Sequence, residues 1–216
     1  MIAKPVMHVT HAIASAHWGT SELPMDVLEL KGYSSPQVRH LLNNICRFEG
    51  CRFLEVGAYC GATAVAASYN NKGRFVTVDH FQQYDSREVC EKVLVRYRRR
   101  APVELIVEDA LTLEPSRVGP IDVFFYDGAH DAESTQRIIE HFAPMLADTC
   151  VLIVDDWNWR MVRNGTRAVR PERPWYLLAH WEMFTKRVQD KHLKPDNDSW
   201  WNGLFVGVYG SEPPGL

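Results

Sequence analysis

The sequence predicts an α/β protein built on a doubly wound, mostly parallel sheet with an antiparallel C-terminal strand. From residue 50 onward, short and nearly continuous apolar runs alternate with longer segments of helical periodicity. Such runs are typical of strands that are covered on both faces, and the alternation is typical of strand–helix–strand units with right-handed crossovers. The last apolar run follows a short connection, which favours its antiparallel insertion.

The predicted elements begin with a helix at Ser35 and Pro36, because a capping hydroxyl followed by proline is typical of a helix start. Residues 1–33 show little periodicity. Strands are predicted over 52–56, 75–78, 103–107, 121–126, 150–154 and 204–209. Helices are predicted over 36–48, 61–69, 86–99 and 131–146. Asp131 is expected to cap the last helix, and Pro144 to kink it or end it early.

Size and composition indicate one globular domain. The chain has 216 residues, 46% of them hydrophobic and 24% charged, and a formal net charge of −3. We expect an N-terminal helical or lid segment over 1–49 and the main domain over 50–216. The charge balance argues against a nucleic-acid partner, and no apolar run is long enough for a membrane helix.

Cysteine usage points to a reducing compartment. The five cysteines include no C-x-x-C pair, which argues against a disulfide framework and a thiolate zinc site. A cytoplasmic location is therefore expected. The sequence leaves the oligomeric state open, and a homo-oligomer is compatible with it.

Residues that follow the first three strands predict a nucleoside site, since ligands of such sheets lie outside the carboxyl ends of the strands. Gly57 and Gly61 allow a tight turn and a close approach of the backbone to a ligand. Asp79 follows the second strand, where a carboxylate can accept both ribose hydroxyls. Asp109 follows the third strand, where a polar side chain can meet an adenine edge. The candidate cofactor residues are Glu55, Gly57, Ala58, Tyr59, Gly61, Asp79, His80, Asp109, Ala110 and Asp127.

The turn after the first strand differs from the phosphate-binding patterns. It contains neither G-x-G-x-x-G nor G-x-x-x-x-G-K-[ST], whereas a sulfonium cofactor has no phosphate to hold and tolerates an acid such as Glu55 nearby. The series Glu55-Val-Gly57…Gly61, Asp79 and Asp109 resembles the cofactor motifs of class I S-adenosylmethionine-dependent methyltransferases. The resemblance implies a Rossmann-like, seven-stranded sheet, a class I methyltransferase domain over 50–216 and S-adenosylmethionine as the cofactor.

Acidic residues follow the fourth and fifth strands. Asp127 and the pair Asp155–Asp156 are expected at the same edge of the sheet, where three carboxylates repel one another unless a cation neutralises them. Oxygen ligands favour a hard cation, Mg²⁺ first and then Mn²⁺ or Ca²⁺. His130 lies three residues after Asp127 and is the candidate general base. Loop or capping roles for the acids, and a surface role for the histidine, remain open alternatives.

The set Asp127-Gly128-x-His130 with Asp155-Asp156 closely resembles the macrocin O-methyltransferase group of metal-dependent sugar O-methyltransferases. This resemblance implies that the three aspartates bind Mg²⁺ and that His130 is the base. The set is more loosely similar to catechol O-methyltransferase, in which Asn stands at the position of Asp156.

The sequence thus predicts a metal-dependent O-methyltransferase that acts on a hydroxyl of a small molecule, first of all a sugar moiety. A catechol-like phenol is the nearest alternative acceptor. A non-catalytic binding protein of the same fold is the alternative from another class. The segment Asp198 to Asn202, which includes Trp200 and Trp201, stands where substrate loops often lie, and its role stays open.

Overall fold

The computed structural model describes residues 3–172, 174–185 and 200–213. Over these residues, the strands are β1 (Cys51–Val56), β2 (Gly73–Val78), β3 (Glu104–Ile106), β4 (Ile121–Tyr126), β5 (Leu146–Val154), β6 (Tyr176–Met183) and β7 (Leu204–Gly210). They form one sheet in the order β3-β2-β1-β4-β5-β7-β6. The first five strands are parallel, and β7 lies antiparallel between β5 and β6. The predicted fold class and the antiparallel insertion are confirmed.

The helices are α1 (Ala3–His17), α2 (Met25–Leu28), α3 (Pro36–Ile45), α4 (Ala62–Ser68), α5 (Arg87–Tyr97), α6 (Ala132–Phe142) and α7 (Arg160–Ala168). The predicted start of α3 is confirmed, since the Ser35 side chain accepts a hydrogen bond from the Val38 N–H. Asp131 likewise caps α6 by accepting from the Ser134 N–H at 2.8 Å. α6 ends ahead of Pro144 in a 3₁₀ turn, and β5 starts at Leu146, so the prediction of helix as far as residue 146 is wrong.

Four of these elements were not predicted from the sequence, and one of them, α2, is a helix of only four residues. α1 buries Val9, Ala12 and Ala16, but alanine gives little hydrophobic contrast, so the stripe is hard to recognise. β6 is a half-exposed edge strand whose apolar run is interrupted by polar residues such as His180. α7 is rich in arginine and places only Val162 among its large apolar residues in the core.

The core lies in two layers, one on each face of the sheet. Successive strand residues face opposite layers, as Phe53 and Leu54 of β1 do. α1 and α3 pack on one face, and α6 and α7 pack on the other. With both faces covered, the ends of the strands are the places where polar side chains can gather. Among the described residues, no helix combines the length and the apolar character needed to cross a membrane.

Candidate functional site

Four parallel strands end at the same level. Val56 of β1 is in register with Val78 of β2 and with Tyr126 of β4, and Tyr126 is in register with Val154 of β5. The residues that come next along these strands are Gly57, Asp79, Asp127 and Asp155. Because neighbouring strands lie about 4.8 Å apart, the register brings these four residues to one edge of the sheet.

A cavity of about 440 Å³ opens at this edge, a volume typical of small-molecule sites. Eight of the ten predicted cofactor residues line it, namely Gly57, Ala58, Tyr59, Asp79, His80, Asp109, Ala110 and Asp127. Glu55 and Gly61 do not line it. Because His130 and Asp156 also belong to its walls, the predicted nucleoside site and part of the predicted acidic site share one cavity.

The turn after β1 owes its shape to two glycines. Gly57 has a φ of +106°, and a Cβ added there would lie 2.0 Å from the backbone oxygen of Asp127. Only glycine tolerates both this conformation and this close approach. Gly61 has a φ of +80° and starts α4. The glycines therefore shape the turn even though Gly61 does not reach the cavity.

The two acids of the predicted nucleoside site accept hydrogen bonds from backbone N–H groups. The Asp79 carboxylate accepts from Tyr59 N at 2.9 Å and from Phe81 N at 2.7 Å. Asp109 Oδ1 accepts from Leu111 N at 2.8 Å. Each carboxylate oxygen can accept more than one hydrogen bond, so both acids remain able to accept from a ligand in the cavity.

Glu55 is the last but one residue of β1 and is fully buried. Its Oε2 accepts from Thr77 Oγ1 at 2.5 Å, whereas Oε1 has no hydrogen-bond partner among the described residues. Burial raises the pKa of Glu55 to about 7, although the hydroxyls of Thr63 and Thr77 counteract it. Its part in cofactor binding stays a prediction, because Glu55 does not line the cavity.

Replacing Glu55 by Gln is expected to weaken the pH dependence of folding stability. The unfolded chain loses this proton near pH 4.5, whereas the folded protein keeps it to about pH 7. The folded state therefore binds more protons in that window, and stability falls as the pH rises through it, by up to about 3 kcal/mol for this group. Urea unfolding of both proteins at pH 5 and pH 8 measures the difference. The exposed Glu49→Gln variant is the control, and an unchanged pH dependence in Glu55→Gln would contradict the expectation.

Asp127, His130 and Asp156 come together in the cavity wall. One ligand atom from each lies within 4.8 Å of the other two. His130 Nε2 lies 2.5 Å from Asp156 Oδ2. Burial and the charges of Asp155 and Asp156 raise the pKa of Asp127 well above its ordinary value. The histidine predicted as a base thus belongs to the same group of atoms as two of the predicted metal ligands.

Asp155 lies next to this group without being part of it. Its side chain is buried, and neither carboxylate oxygen has a hydrogen-bond partner among the described residues. Burial, followed by the charge of Asp156, raises the pKa of Asp155 well above its ordinary value. A buried carboxylate without partners is costly, so such a group points to a missing cationic partner.

The chemistry of these side chains fits a hard divalent cation. Three aspartates supply oxygen atoms, which Mg²⁺ and Mn²⁺ prefer, and a cation would relieve both their mutual repulsion and the lack of partners at Asp155. Asp127, Asp155 and Asp156 are the residues that would hold it. The predicted ligand set is therefore chemically reasonable, and its use by a metal stays a prediction.

Aromatic side chains gather at the opening of the cavity. Tyr33 stacks on Tyr59 with ring centroids 4.6 Å apart, Tyr84 lies 5.2 Å from Tyr59, and Trp201 lies 6.4 Å from Tyr33. We call these four residues the aromatic mouth. Tyr84 was missed by sequence reasoning because its loop after β2 carries no recognisable pattern. Asp198, from the segment before β7, lies outside the described residues.

Two tryptophans after β5 have different roles. Trp157 is buried in the core and contacts Phe205, with ring centroids 4.6 Å apart. Trp159 lines the cavity, and its ring lies 4.8 Å from the His130 ring. Trp157 thus contributes to core packing, whereas Trp159 contributes to the wall of the cavity.

Known proteins resemble this chain in sequence pattern and in fold. A family model described as a methyltransferase domain matches residues 54–157. The O-methyltransferase TomG from Streptomyces achromogenes, involved in tomaymycin synthesis and solved with S-adenosylmethionine, is 18% identical. The alignment covers 92% of this chain and 89% of TomG with a TM-score of 0.60. No curated protein is significantly similar in sequence.

Two further solved structures share the fold. An O-methyltransferase from Bacillus cereus in complex with S-adenosylhomocysteine is 15% identical, with 94% of this chain and 90% of that chain covered and a TM-score of 0.58. Cofactor-bound Rv0187 from MTB is 20% identical, with 94% and 88% covered and a TM-score of 0.57. The chain has the Rossmann-like fold of these methyltransferases, and its residues 54–157 match the methyltransferase domain.

Proposed function

We propose that this chain is a divalent-metal-dependent O-methyltransferase that uses S-adenosylmethionine and acts on a hydroxyl of a small molecule. The observation that carries the proposal is the single cavity that both Asp79 and the group of Asp127, His130 and Asp156 line. A nucleoside at one end of the cavity would bring a donor next to acids and a base at the other end. The matched methyltransferase domain and the O-methyltransferases among the structural neighbours support the same conclusion.

The nucleoside end binds and orients the donor. Asp79 accepts hydrogen bonds from the ribose hydroxyls, and Asp109 faces the adenine ring. Gly57 lets the backbone approach the ligand closely. S-adenosylmethionine, when bound, supplies a methyl group on a positively charged sulfur. Fixing this group next to the acceptor oxygen removes much of the entropic cost of bringing two reactants together.

The acidic end prepares the acceptor. Asp127, Asp155 and Asp156 would hold a divalent cation, which would supply Lewis-acid chemistry toward the acceptor hydroxyl. His130 takes the hydroxyl proton on Nδ1, while its Nε2–H donates to Asp156 Oδ2, and this hydrogen bond becomes charge-assisted once the ring is protonated. Trp159, against the His130 ring, restricts water on that side. The products are the methyl ether and S-adenosylhomocysteine.

The first acceptor class that we propose is a sugar hydroxyl. It follows from the set Asp127-Gly128-x-His130 with Asp155-Asp156, which resembles that of the macrocin O-methyltransferase group. A phenolic acceptor is the second candidate. The aromatic mouth favours it, because a planar ring can stack against tyrosine and tryptophan side chains.

Methyl transfer from labelled S-adenosylmethionine tests the proposal. Purified protein is incubated with sugar-containing and phenolic acceptors, with Mg²⁺ or with EDTA. We expect product with Mg²⁺ and none with EDTA, and the acceptor that is methylated distinguishes the two classes. Calorimetry with S-adenosylhomocysteine separates a non-catalytic binding protein, which would bind the ligand and methylate nothing. Turnover that persists in EDTA would refute the metal dependence.

Replacing His130 by Gln is expected to lower kcat by about 10²- to 10⁴-fold, the usual contribution of a general base. The KM for the acceptor is expected to change little, because the proton moves only as the methyl group is transferred. Steady-state kinetics with Mg²⁺ measure both constants. His11→Gln, on the exposed side of α1, is the matched control. A wild-type kcat in the His130 variant would remove this residue as the base.

A further inference from the structure

We propose that Asn202 is a positioning residue that holds the Asp156 carboxylate ready for the cation, an inference that rests on the proposed function. Asn202 lies far along the chain from the acids and belongs to the turn before β7. It lines the cavity together with Asp156.

Asp156 needs support from outside its own strand. Its φ of +55° lies in the left-handed region, which residues with a Cβ seldom adopt. Its side chain is buried close to two other carboxylates, which repel it. Without a partner that fixes it, the carboxylate would turn away from these neighbours.

The turn formed by residues 200–203 is hydrogen-bonded to the two residues that follow Asp156. The Trp157 N–H donates to Gly203 O at 3.1 Å, and the Asn158 N–H donates to Asn202 O at 2.8 Å. Gly203 has a φ of +87°, and a Cβ there would lie 2.7 Å from Asn158 Oδ1. The close approach fixes the position from which the Asn202 side chain extends.

The Asn202 side chain completes the contact. Its Nδ2 donates to Asp156 Oδ1 at 2.8 Å, while Asp156 Oδ2 faces His130 Nε2 at 2.5 Å. The two oxygens of Asp156 thus have separate partners, and this fixes the plane of the carboxylate. Hydrogen bonds of this kind orient the ligands of metal sites and are worth about 10- to 100-fold in metal affinity.

An amide suits this position better than other side chains of its size. It donates a hydrogen bond to a buried oxygen without adding a charge to a group of acids. A carboxylate at residue 202 would add a further negative charge, and an aliphatic side chain would leave Asp156 Oδ1 without its donor. The residue type therefore agrees with a positioning role toward a cation site.

Mn²⁺ binding to the full chain tests the inference. Asn202→Leu keeps the approximate size of the side chain and removes the donor, and Asn202→Ala avoids any overpacking that leucine causes. We expect the Kd for Mn²⁺, measured by calorimetry without other ligands, to rise about 10- to 100-fold in both variants. The Kd for S-adenosylhomocysteine should stay at the wild-type value.

The control is Asn71→Ala, which removes an amide that donates to Asn43 O and Ala67 O, at the start of β2 and away from the cavity. It reports the effect of losing two hydrogen bonds on the protein as a whole, and its Mn²⁺ affinity should be that of the wild type. Wild-type Mn²⁺ affinity in both Asn202 variants would overturn the role of Asn202 alone, as would an equal loss in Asn71→Ala. A wild-type protein that binds no Mn²⁺ would overturn the proposed metal dependence and this role with it.

Discussion

Replacing Asp155 by Asn is expected to abolish metal-dependent turnover and, at the same time, to stabilise the metal-free protein. Both effects have one cause, the buried carboxylate whose oxygens have no partner among the described residues. The folded protein must either bury this charge or hold a proton that the unfolded chain releases, and each costs stability at pH 8. As a ligand of the proposed cation, Asp155 would have this charge neutralised.

We expect kcat with Mg²⁺ to fall at least about 100-fold, which corresponds to about 2.7 kcal/mol of barrier. The free energy of unfolding in EDTA at pH 8, from urea titrations, should rise by about 1–3 kcal/mol. S-adenosylhomocysteine affinity should be unchanged, because Asp155 does not line the cavity.

Asp122→Asn is the matched control for this variant. Asp122 lies at the start of β4, at the opposite edge of the sheet, and pairs with Arg52. Its replacement should lower stability and leave the Mn²⁺ affinity unchanged. If Asp155→Asn kept metal-dependent turnover, or lost affinity for S-adenosylhomocysteine and metal alike, the assignment of Asp155 would be wrong.

Replacing Gly57 by Ala is expected to eliminate S-adenosylmethionine binding and to destabilise the fold. The added Cβ would lie 2.0 Å from the backbone oxygen of Asp127, and the φ of +106° is unfavourable for alanine. Because the Cβ is fixed to the backbone after β1 and meets the backbone after β4, the ends of these two strands must move apart. The expected loss of stability is about 3–5 kcal/mol, and the affinity for S-adenosylmethionine should fall at least about 100-fold.

Gly50→Ala separates backbone strain from the clash. Gly50 also has a positive φ, +75°, but a Cβ there would meet nothing within 4 Å. The Gly50→Ala variant should therefore lose only about 1 kcal/mol of the free energy of unfolding and keep the wild-type affinity for S-adenosylmethionine. Thermal unfolding and calorimetry compare the two variants. Equal losses of stability and of S-adenosylmethionine affinity in both variants would show that the contact between Gly57 and Asp127 adds nothing to the effect of the positive φ.

Much of the fold could be predicted because its signals are local. A continuous apolar run identifies a strand covered on both faces, and the residue that follows the run lies at the edge where ligands bind. Gly57, Asp79, Asp109 and Asp127 each follow such a run, and all four line the cavity.

The rest depends on contacts that a linear pattern does not contain. The group of Asp127, His130 and Asp156 does not include Asp155, and the left-handed backbone of Asp156 leaves no trace in the sequence pattern. Asn202 meets Asp156 across 46 residues of sequence. α1 escaped prediction because alanine forms much of its buried face.

The contact between Gly57 and the Asp127 carbonyl has one more consequence. Gly57 and Asp127 both line the cavity and meet through their main chains, with no side chain between them. Exchanging side chains of the aromatic mouth therefore leaves this part of the wall unchanged. A directed-evolution library restricted to Tyr33, Tyr84 and Trp201 would vary the lining of the cavity while this backbone contact is kept.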